Sequence, residues 1–512
     1  MITNRKLLIG VVLFVCAVIY NFYLLKAPIN IYDEGIVLVG ADRIVNDDLP
    51  YIDFFSMYPP GQFYILASLF KFLGTSVMTE RIYDLIIRSL LPVLIFLIIK
   101  KIGTTNAIAV IGSSMVLMLL GSFESAGYPV YSAMLLVLIS AYFFFRDIEK
   151  SNSYSLIYSG VFMTFAALFR HDLAGYAAIG MLLTLLLKKI ADKESGFRPI
   201  YHFTYGLLLT GIPIAILLHL YIGLDVIIEQ LIIIPSDIMH DYRWIPYPTQ
   251  LAASTVQFYI YPLALFLGLF FSNYIIFKLK IRNKSSYGML LFSLIGILFI
   301  NQVIVRSDAI HLLPASMFAI VVSLSLFLLI LSSREGLLSH KLFKIASYAL
   351  LCALFILMIP AAWNKLNSLN SSYFSLSDKF NRAGYSSIAP ELKELNLYIR
   401  SNTDADDAIY VGVENHDKFI INDVAVYFLA GRKYANKYHE LHPGVTNLQT
   451  EQKDIVQEIK DAGVKLIVLS PRYWYEPNDT RIDSKVDYLD NYIRKYYKIT
   501  ANFGDYEVWE MR

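Results

Sequence analysis

The chain has 512 residues, 56% hydrophobic and 14% aromatic, with only 17% charged, and a mean hydropathy of +0.52. Soluble domains carry about 25% charged residues, so this balance excludes an ordinary soluble protein and points to one that crosses a bilayer many times. The formal net charge of +2 is no nucleic-acid footprint, and no nucleic-acid partner is expected; where the charges lie along the chain is more informative.

A bilayer core takes about 20 apolar residues per helix. Windows of that size mark about eleven spans, near 7–26, 80–101, 105–121, 129–145, 154–169, 172–188, 203–222, 254–277, 286–305, 311–332 and 342–360. The first is too long for a signal-peptide core and lacks a small-residue cleavage site, so it reads as a retained helix. Cys16 and Cys352 fall inside apolar spans and read as small core residues, not as a disulfide or metal site.

Directly after the first span stands Ile31-Tyr32-Asp33-Glu34-Gly35. It sets two adjacent carboxylates at the bilayer surface, where desolvation is costly and the default reading is functional. The stretch from Gly35 to Leu73 is too long for a hairpin and too broken for a span. Val37 to Val45 is amphipathic, Tyr58-Pro59-Pro60-Gly61 is a turn signal, and Gln62 to Phe72 is a short apolar run. The expectation is two helices lying flat on the outer membrane surface, over about 33–73, roofing a cavity between the first two spans.

In the second span Arg81, Asp84 and Arg88 recur on one helical face. Arg88 lies deepest, where an unpaired charge is expensive. Two readings stay open for it: an ion pair with Asp84 that stitches the bundle, or a phosphate contact. Alternate junctions between spans are basic: Arg5 and Lys6; Lys100 and Lys101; Arg146 and Lys150; Lys188, Lys189, Lys193 and Arg198; Lys278 to Lys284; Arg334, Lys341 and Lys344. All fall on one side under this span count, which puts the N-terminus in the cytoplasm. The opposite junctions hold Asp33 and Glu34, Glu124, Arg170-His171-Asp172, Asp237 with His240, Asp241 and Arg243, and Arg306-Ser307-Asp308 with His311. Asp237, His240 and Arg243 recur three apart, as on one helical face. Ordinary loop polarity is the bland explanation, but these loops are short and pair acids with Arg and His.

After Trp363 the composition changes. Leu366 to Ser377 is rich in Ser and Asn and reads as a linker. Beyond it come helices near 391–400, 422–430, 449–462 and 486–494, with strands near 408–413, 464–469, 497–501 and 505–510. Alternating elements of this size indicate a small α/β domain. No GxGxxG or P-loop pattern appears in it, so a nucleotide site is unsupported. The expected division is a membrane domain over 1–362 and a linker with an extracytoplasmic α/β domain over 363–512.

With these residues in view, the chain resembles the GT-C glycosyltransferases that use polyprenyl-phosphate sugars, such as protein O-mannosyltransferases and lipid A aminoarabinose transferases. The resemblance rests on Tyr32-Asp33-Glu34-Gly35, Asp53-Phe54-Phe55, Tyr58-Pro59-Pro60-Gly61-Gln62, Phe169-Arg170-His171-Asp172 and Arg306-Ser307-Asp308-Ala309-Ile310-His311-Leu312-Leu313-Pro314, across roughly 1–335. Glu124 stands further from Pro129 than the second acid of some relatives does from its proline. The metal-binding acidic spacing of the oligosaccharyltransferases has no convincing copy.

The resemblance implies a polytopic α-helical membrane enzyme moving a sugar from a polyprenyl-monophosphate donor to an acceptor hydroxyl on a glycan, lipid or protein. The reaction expected is inverting and metal-independent at the outer face of the plasma membrane. Asp33 becomes the base, with Glu34 orienting it, sharing its proton or binding sugar hydroxyls. The departing phosphate needs cations, and the planar fork of Arg suits it. Arg170, Arg306, Arg88 and His311 are the candidates; Asp53, Tyr58, Glu124, His171, Asp172, Asp308 and Arg243 are candidates for sugar or acceptor contacts. No cofactor is implied; a divalent metal on Asp33, His171 or His311 stays open, since their separation carries no spacing signal. The rival readings are a transporter or flippase, which would carry charge at the midplane, and a lipid-linked polysaccharide polymerase or ligase.

Overall fold

The computed structural model describes residues 4–121, 126–147, 154–192, 196–332, 341–370, 382–384, 388–417, 421–470 and 476–512. Glu124 lies outside the described residues.

Helix α1 (Asn4–Asn21) runs into a 3-10 turn (Phe22–Leu25), and α2 (Asp33–Val45) and α3 (Gly61–Leu73) follow. Next come α4 (Val77–Ile102), α5 (Asn106–Leu120), α6 (Pro129–Asp147), α7 (Ser155–Ala167), α8 (His171–Asp192) and α9 (Arg198–Tyr221). The chain then breaks into α10 (Leu224–Ile228), a π-helical segment (Glu229–Ile238) and the single turn α11 (His240–Arg243). Helices α12 (Gln257–Asn273), α13 (Lys284–Val305), α14 (Ala309–Ser332) and α15 (Lys341–Asn370) complete the bundle. Local chemistry sets several boundaries. Ser76 caps α4 by accepting from the Thr79 amide, and left-handed Gly103 ends it. Asn283 and Ser286 form a reciprocal capping box on α13.

Among the described residues nine helices are long and apolar enough to cross a membrane. The other two expected spans are α5 and α7, at only 15 and 13 residues. At about 1.5 Å per residue they fall short of a bilayer core. Helix α7 packs on α6, α8 and α9, so protein, not lipid, covers much of its surface. Helix α14 is central, 83% buried over its apolar window, whereas α9 and α15 are 11% and 17% buried and present Leu, Ile and aromatic side chains outward. Such an apolar exterior needs a lipid solvent. Cys16 and Cys352 are free thiols on that exterior, not the core residues expected. The last helix continues to Asn370, taking in the start of the predicted linker.

Helix α2 is more enclosed than its amphipathic pattern suggests: from Glu34 to Ile44 every residue is buried. It is sandwiched against the C-terminal α/β region, where Ile36 and Val37 share a core with Val424, Tyr427 and Phe428. Its polar residues find partners there. Asp42 accepts from Arg382 Nη1 at 2.9 Å and from the Tyr434 hydroxyl at 2.8 Å, and Arg43 donates to the Asn436 carbonyl at 2.9 Å. Gly35 explains why the motif ends in glycine. A Cβ there would stand 2.6 Å from the Ala425 backbone nitrogen, which donates to the Ile31 carbonyl at 2.9 Å.

The C-terminal region carries one mixed five-stranded sheet, β1 (Ala408–Val413), β2 (Lys433–Tyr434), β3 (Leu466–Ser470), β4 (Tyr497–Phe503) and β5 (Tyr506–Met511), ordered β2-β1-β3-β5-β4. Strand β1 is parallel to β2 and β3, and β5 is antiparallel to β3 and β4. Helices α16 (Pro390–Asn402), α17 (Ala425–Ala430), α18 (Gln449–Asp461) and α19 (Tyr488–Tyr496) surround it. The predicted strands and helices recur with small shifts. The two-residue β2 carries too little pattern to read from sequence.

Candidate active site

Two adjoining cavities open where α7 and α13 end and α2, α6, α8 and α14 begin. The first, about 280 Å³, is lined by Arg170, His171, Asp172, Gln302 and part of the π-helical segment. The second, about 220 Å³, is lined by Asp33, Asp308, His442 and Glu476. Met57, Tyr58, Tyr128, Arg243, Arg306 and His311 line both. Side chains from six junctions of the bundle and from the C-terminal region thus converge on one space of a size that suits small ligand groups.

Asp33 sits in the first turn of α2, and the helix N-terminus favours its negative charge. Asn30 shapes this start: its side-chain oxygen accepts from the amides of Tyr32 and Asp33, at 3.0 and 3.2 Å. Its amide nitrogen stands 3.4 Å from the Asp33 carboxylate. Burial pushes the Asp33 pKa above the ordinary carboxylate value; Asp308 adds to the rise, and Asn30, Arg306 and His311 oppose it. A carboxylate held higher than usual is a better proton acceptor near neutral pH.

Glu34 turns the other way. Arg81 grips it with two nitrogens at 2.7 and 3.0 Å, and the Asn30 amide donates to it at 2.9 Å. Arg81 also donates to the carbonyls of Leu24, Ala27 and Pro28. This buried clamp fixes the turn between α1 and Asp33. Glu34 lines neither cavity. Arg88 is equally remote: it pairs with Asp84 at 2.7 Å and lies 3.8 Å over the Tyr131 ring, the bundle-stitching arrangement. Asp53 closes its own turn by accepting from the Leu49 amide at 2.7 Å, away from both cavities.

Arg170 forks onto Asp172 at 3.0 and 2.7 Å, and Gln302 donates to the same carboxylate at 2.6 Å. The turn that carries Tyr58 docks beside them, because the Gly61 amide donates to the Leu168 carbonyl at 2.8 Å; a Cβ on Gly61 would collide with that oxygen. His171 faces the first cavity, and its buried Nδ1 has no hydrogen-bond partner among the described residues. Arg306 donates to Asp308 at 3.1 Å and to Glu476 at 2.8 and 2.6 Å. Asp308 accepts from the His311 amide at 2.9 Å and lies 2.7 Å from its Nδ1. Desolvation pushes Asp308 up, but His311 and Arg306 together hold its pKa below the ordinary value. Tyr58 and Tyr128 pack edge to face at 6.5 Å. Burial raises both phenol pKa values, so both hydroxyls stay protonated.

Arg243 differs from the other two arginines. Its guanidinium has no carboxylate partner among the described residues, although it lines both cavities and its carbonyl accepts from Arg306 at 3.0 Å. The expected helical face of Asp237, His240 and Arg243 does not form, because the π-helical segment ends at Ile238 and a new turn starts at His240. Among the described residues no group of three or more His, Cys, Asp and Glu is arranged to hold a metal ion.

Sequence reasoning passed over Tyr128, Gln302, His442 and Glu476. The last two belong to the C-terminal region, whose own pattern says nothing about what it is docked against. A Glu440-Leu441-His442-Pro443-Gly444 turn was the one available signal.

A bundle of this connectivity, with polar groups gathered at one end beneath an α/β region, has the fold seen in ArnT. The chain is similar to crystal structures of ArnT from Cupriavidus metallidurans. For the apo state the TM-score is 0.54 at 13% identity, and for ArnT bound to undecaprenyl phosphate it is 0.52 at 11%; each comparison covers 98% of this chain and 97% of the other. At such identities the likeness is one of fold. No family model matches the sequence, and no curated protein matches it.

Proposed function

We propose that the protein is a glycosyltransferase of the plasma (inner) membrane, using a polyprenyl-monophosphate sugar as donor and a hydroxyl as acceptor. In this reading the N-terminus is cytoplasmic, residues 1–362 form the membrane domain, and 363–512 form the linker and extracytoplasmic domain. The observation that carries it is the shared wall between two cavities: Asp33 lies in one, Arg170 in the other, and Arg243 and Arg306 line both. ArnT, with the same fold, has been crystallised with undecaprenyl phosphate.

The chemistry follows from that adjacency. The donor phosphate lies against Arg243, which has no carboxylate partner among the described residues, with Arg170 and Arg306 adding charge from their existing pairs. The sugar spans the common wall beside Tyr58 and Tyr128, whose protonated hydroxyls donate to it. Asp33 takes the acceptor's hydroxyl proton. The acceptor oxygen forms a bond to the anomeric carbon while the bond from that carbon to the phosphate oxygen breaks, and its electron pair leaves on polyprenyl phosphate. Attack opposite the leaving group inverts the anomeric centre. A lipid-phosphate donor suits a compartment without nucleotide sugars.

The test is transfer from synthetic polyprenyl-phosphate sugars by the purified protein and its Asp33→Asn variant. The reading expects turnover by the wild type and a loss of a hundredfold or more in the variant, about 2.7 kcal/mol of barrier. Undiminished turnover by Asp33→Asn removes the base assignment.

A further inference from the structure

The wall of the Asp33 cavity opposite α2 belongs to the C-terminal region, which contributes Ile421, His442, Pro443 and Glu476. His442 alone among these brings a titratable ring. Its Nε2 lies 3.1 Å from a Glu440 carboxylate oxygen. A carboxylate partner makes Nε2 the protonated nitrogen and leaves Nδ1 as the acceptor of the neutral ring. Among the described residues Nδ1 has no hydrogen-bond partner of its own.

Glu440 makes this arrangement expensive. It is fully buried, and its second oxygen has no hydrogen-bond partner among the described residues. A buried carboxylate with half its acceptor capacity unused costs stability. Docking needs no such group: Phe55 already holds this contact through its amide, which donates to the Lys437 carbonyl at 3.0 Å, and through its ring, 6.3 Å from that of His442. Fixing the tautomer and tilt of a ring that lines the same cavity as Asp33 gives Glu440 a purpose.

Resting on the glycosyltransferase reading above, we infer that His442 is an acceptor-binding residue and Glu440 its positioning residue. Arg170 lies only in the neighbouring cavity, and Arg243 and Arg306 stand on the wall the two share, so a hydroxyl that reaches Asp33 enters from the other side, between α2 and the C-terminal region. His442 Nδ1 then accepts from a second hydroxyl of the same acceptor and aims the first at Asp33. The ligand class is a polyol or sugar with neighbouring hydroxyls, and the C-terminal region is thereby part of acceptor selection.

Glycerol is the acceptor probe, with undecaprenyl-phosphate-mannose as donor and the full chain in detergent micelles. In His442→Ala the KM for glycerol is expected to rise about tenfold, the worth of one hydrogen bond, with the donor KM moving less than threefold. His442→Asn, whose side-chain oxygen stands near the place of Nδ1, recovers most of the loss, and Glu440→Gln falls between. An unchanged glycerol KM in His442→Ala overturns the inference. So does a parallel rise in both KM values that Asn leaves uncorrected, the mark of a docking defect. The underlying reading fails differently, through full turnover by Asp33→Asn.

Discussion

Glu476 holds Arg306 by both terminal nitrogens, at 2.8 and 2.6 Å. A carboxylate from the C-terminal region thus occupies the fork that a phosphate would use, on an arginine also bonded to Asp308. Under the proposed function, Glu476 and the donor phosphate would compete for one guanidinium. Glu476→Gln removes a negative charge and the competitor together, and undecaprenyl phosphate should then bind about tenfold more tightly, measured by isothermal calorimetry in micelles. Weaker binding in the variant would mean that Glu476 only holds Arg306 in shape.

Arg243 carries a different expectation from Arg88. A charge-assisted hydrogen bond contributes about 1.5–3 kcal/mol, so Arg243→Gln should raise the donor KM by about ten- to a hundredfold. Arg88, closed onto Asp84 and Tyr131, should show its loss in thermal stability instead. Steady-state kinetics beside thermal denaturation of Arg243→Gln and Arg88→Met separates the two roles.

The Glu34–Arg81 clamp is buried at both ends, each side chain 1% exposed. Arg81→Met leaves a bare carboxylate inside the protein, which typically costs about 3–5 kcal/mol. A double variant, Glu34→Leu with Arg81→Met, should recover part of that loss. Recovery stays partial because Arg81 also satisfies three backbone carbonyls. Equal denaturation temperatures for the single and double variants would contradict the pairing.

Asp33 sets a pH dependence whose sign follows from its raised pKa. Only the ionised form accepts a proton, so turnover should fall with acidification at a midpoint above the ordinary carboxylate value of about 3.9. Stability runs the other way. The folded protein binds this proton more tightly than the unfolded chain, so the burial penalty is absent below about pH 3.9, grows as pH rises, and is complete above the folded pKa. Asp33→Asn should therefore be more heat-stable than wild type near pH 7, with the difference shrinking in acid.

Gly35→Ala tests the docking of α2. The new methyl would press on the Ala425 backbone, which cannot yield as a flexible side chain would. Lower thermal stability and faster proteolysis of the C-terminal region should appear together.

Much of the bundle was legible because a bilayer imposes one length and one polarity on every span. The α5 and α7 helices were found as well, near 105–121 and 154–169, but the length rule took them for full spans where they have only 15 and 13 residues. Asp33, Tyr58, Arg170 and Arg306 announced themselves as polar groups in short loops between apolar runs. Glu34 and Arg88 sent the same signal for another reason, each being half of a buried pair whose partner sequence reasoning could not choose. Arg243 looked like part of a helical face until the π-helical segment broke that face. His442 and Glu476 had no such signal: their meaning depends on α2 lying beneath the C-terminal region, a contact between segments about 400 residues apart.

The most direct test of the account is a structure of the protein with undecaprenyl phosphate bound. The prediction is a phosphate within hydrogen-bond reach of Arg243 and Arg306, with the lipid chain leading away beside Leu231 and Ile232 and the Asp33 cavity left open. A phosphate seated elsewhere, with Arg243 still facing empty space, would contradict it.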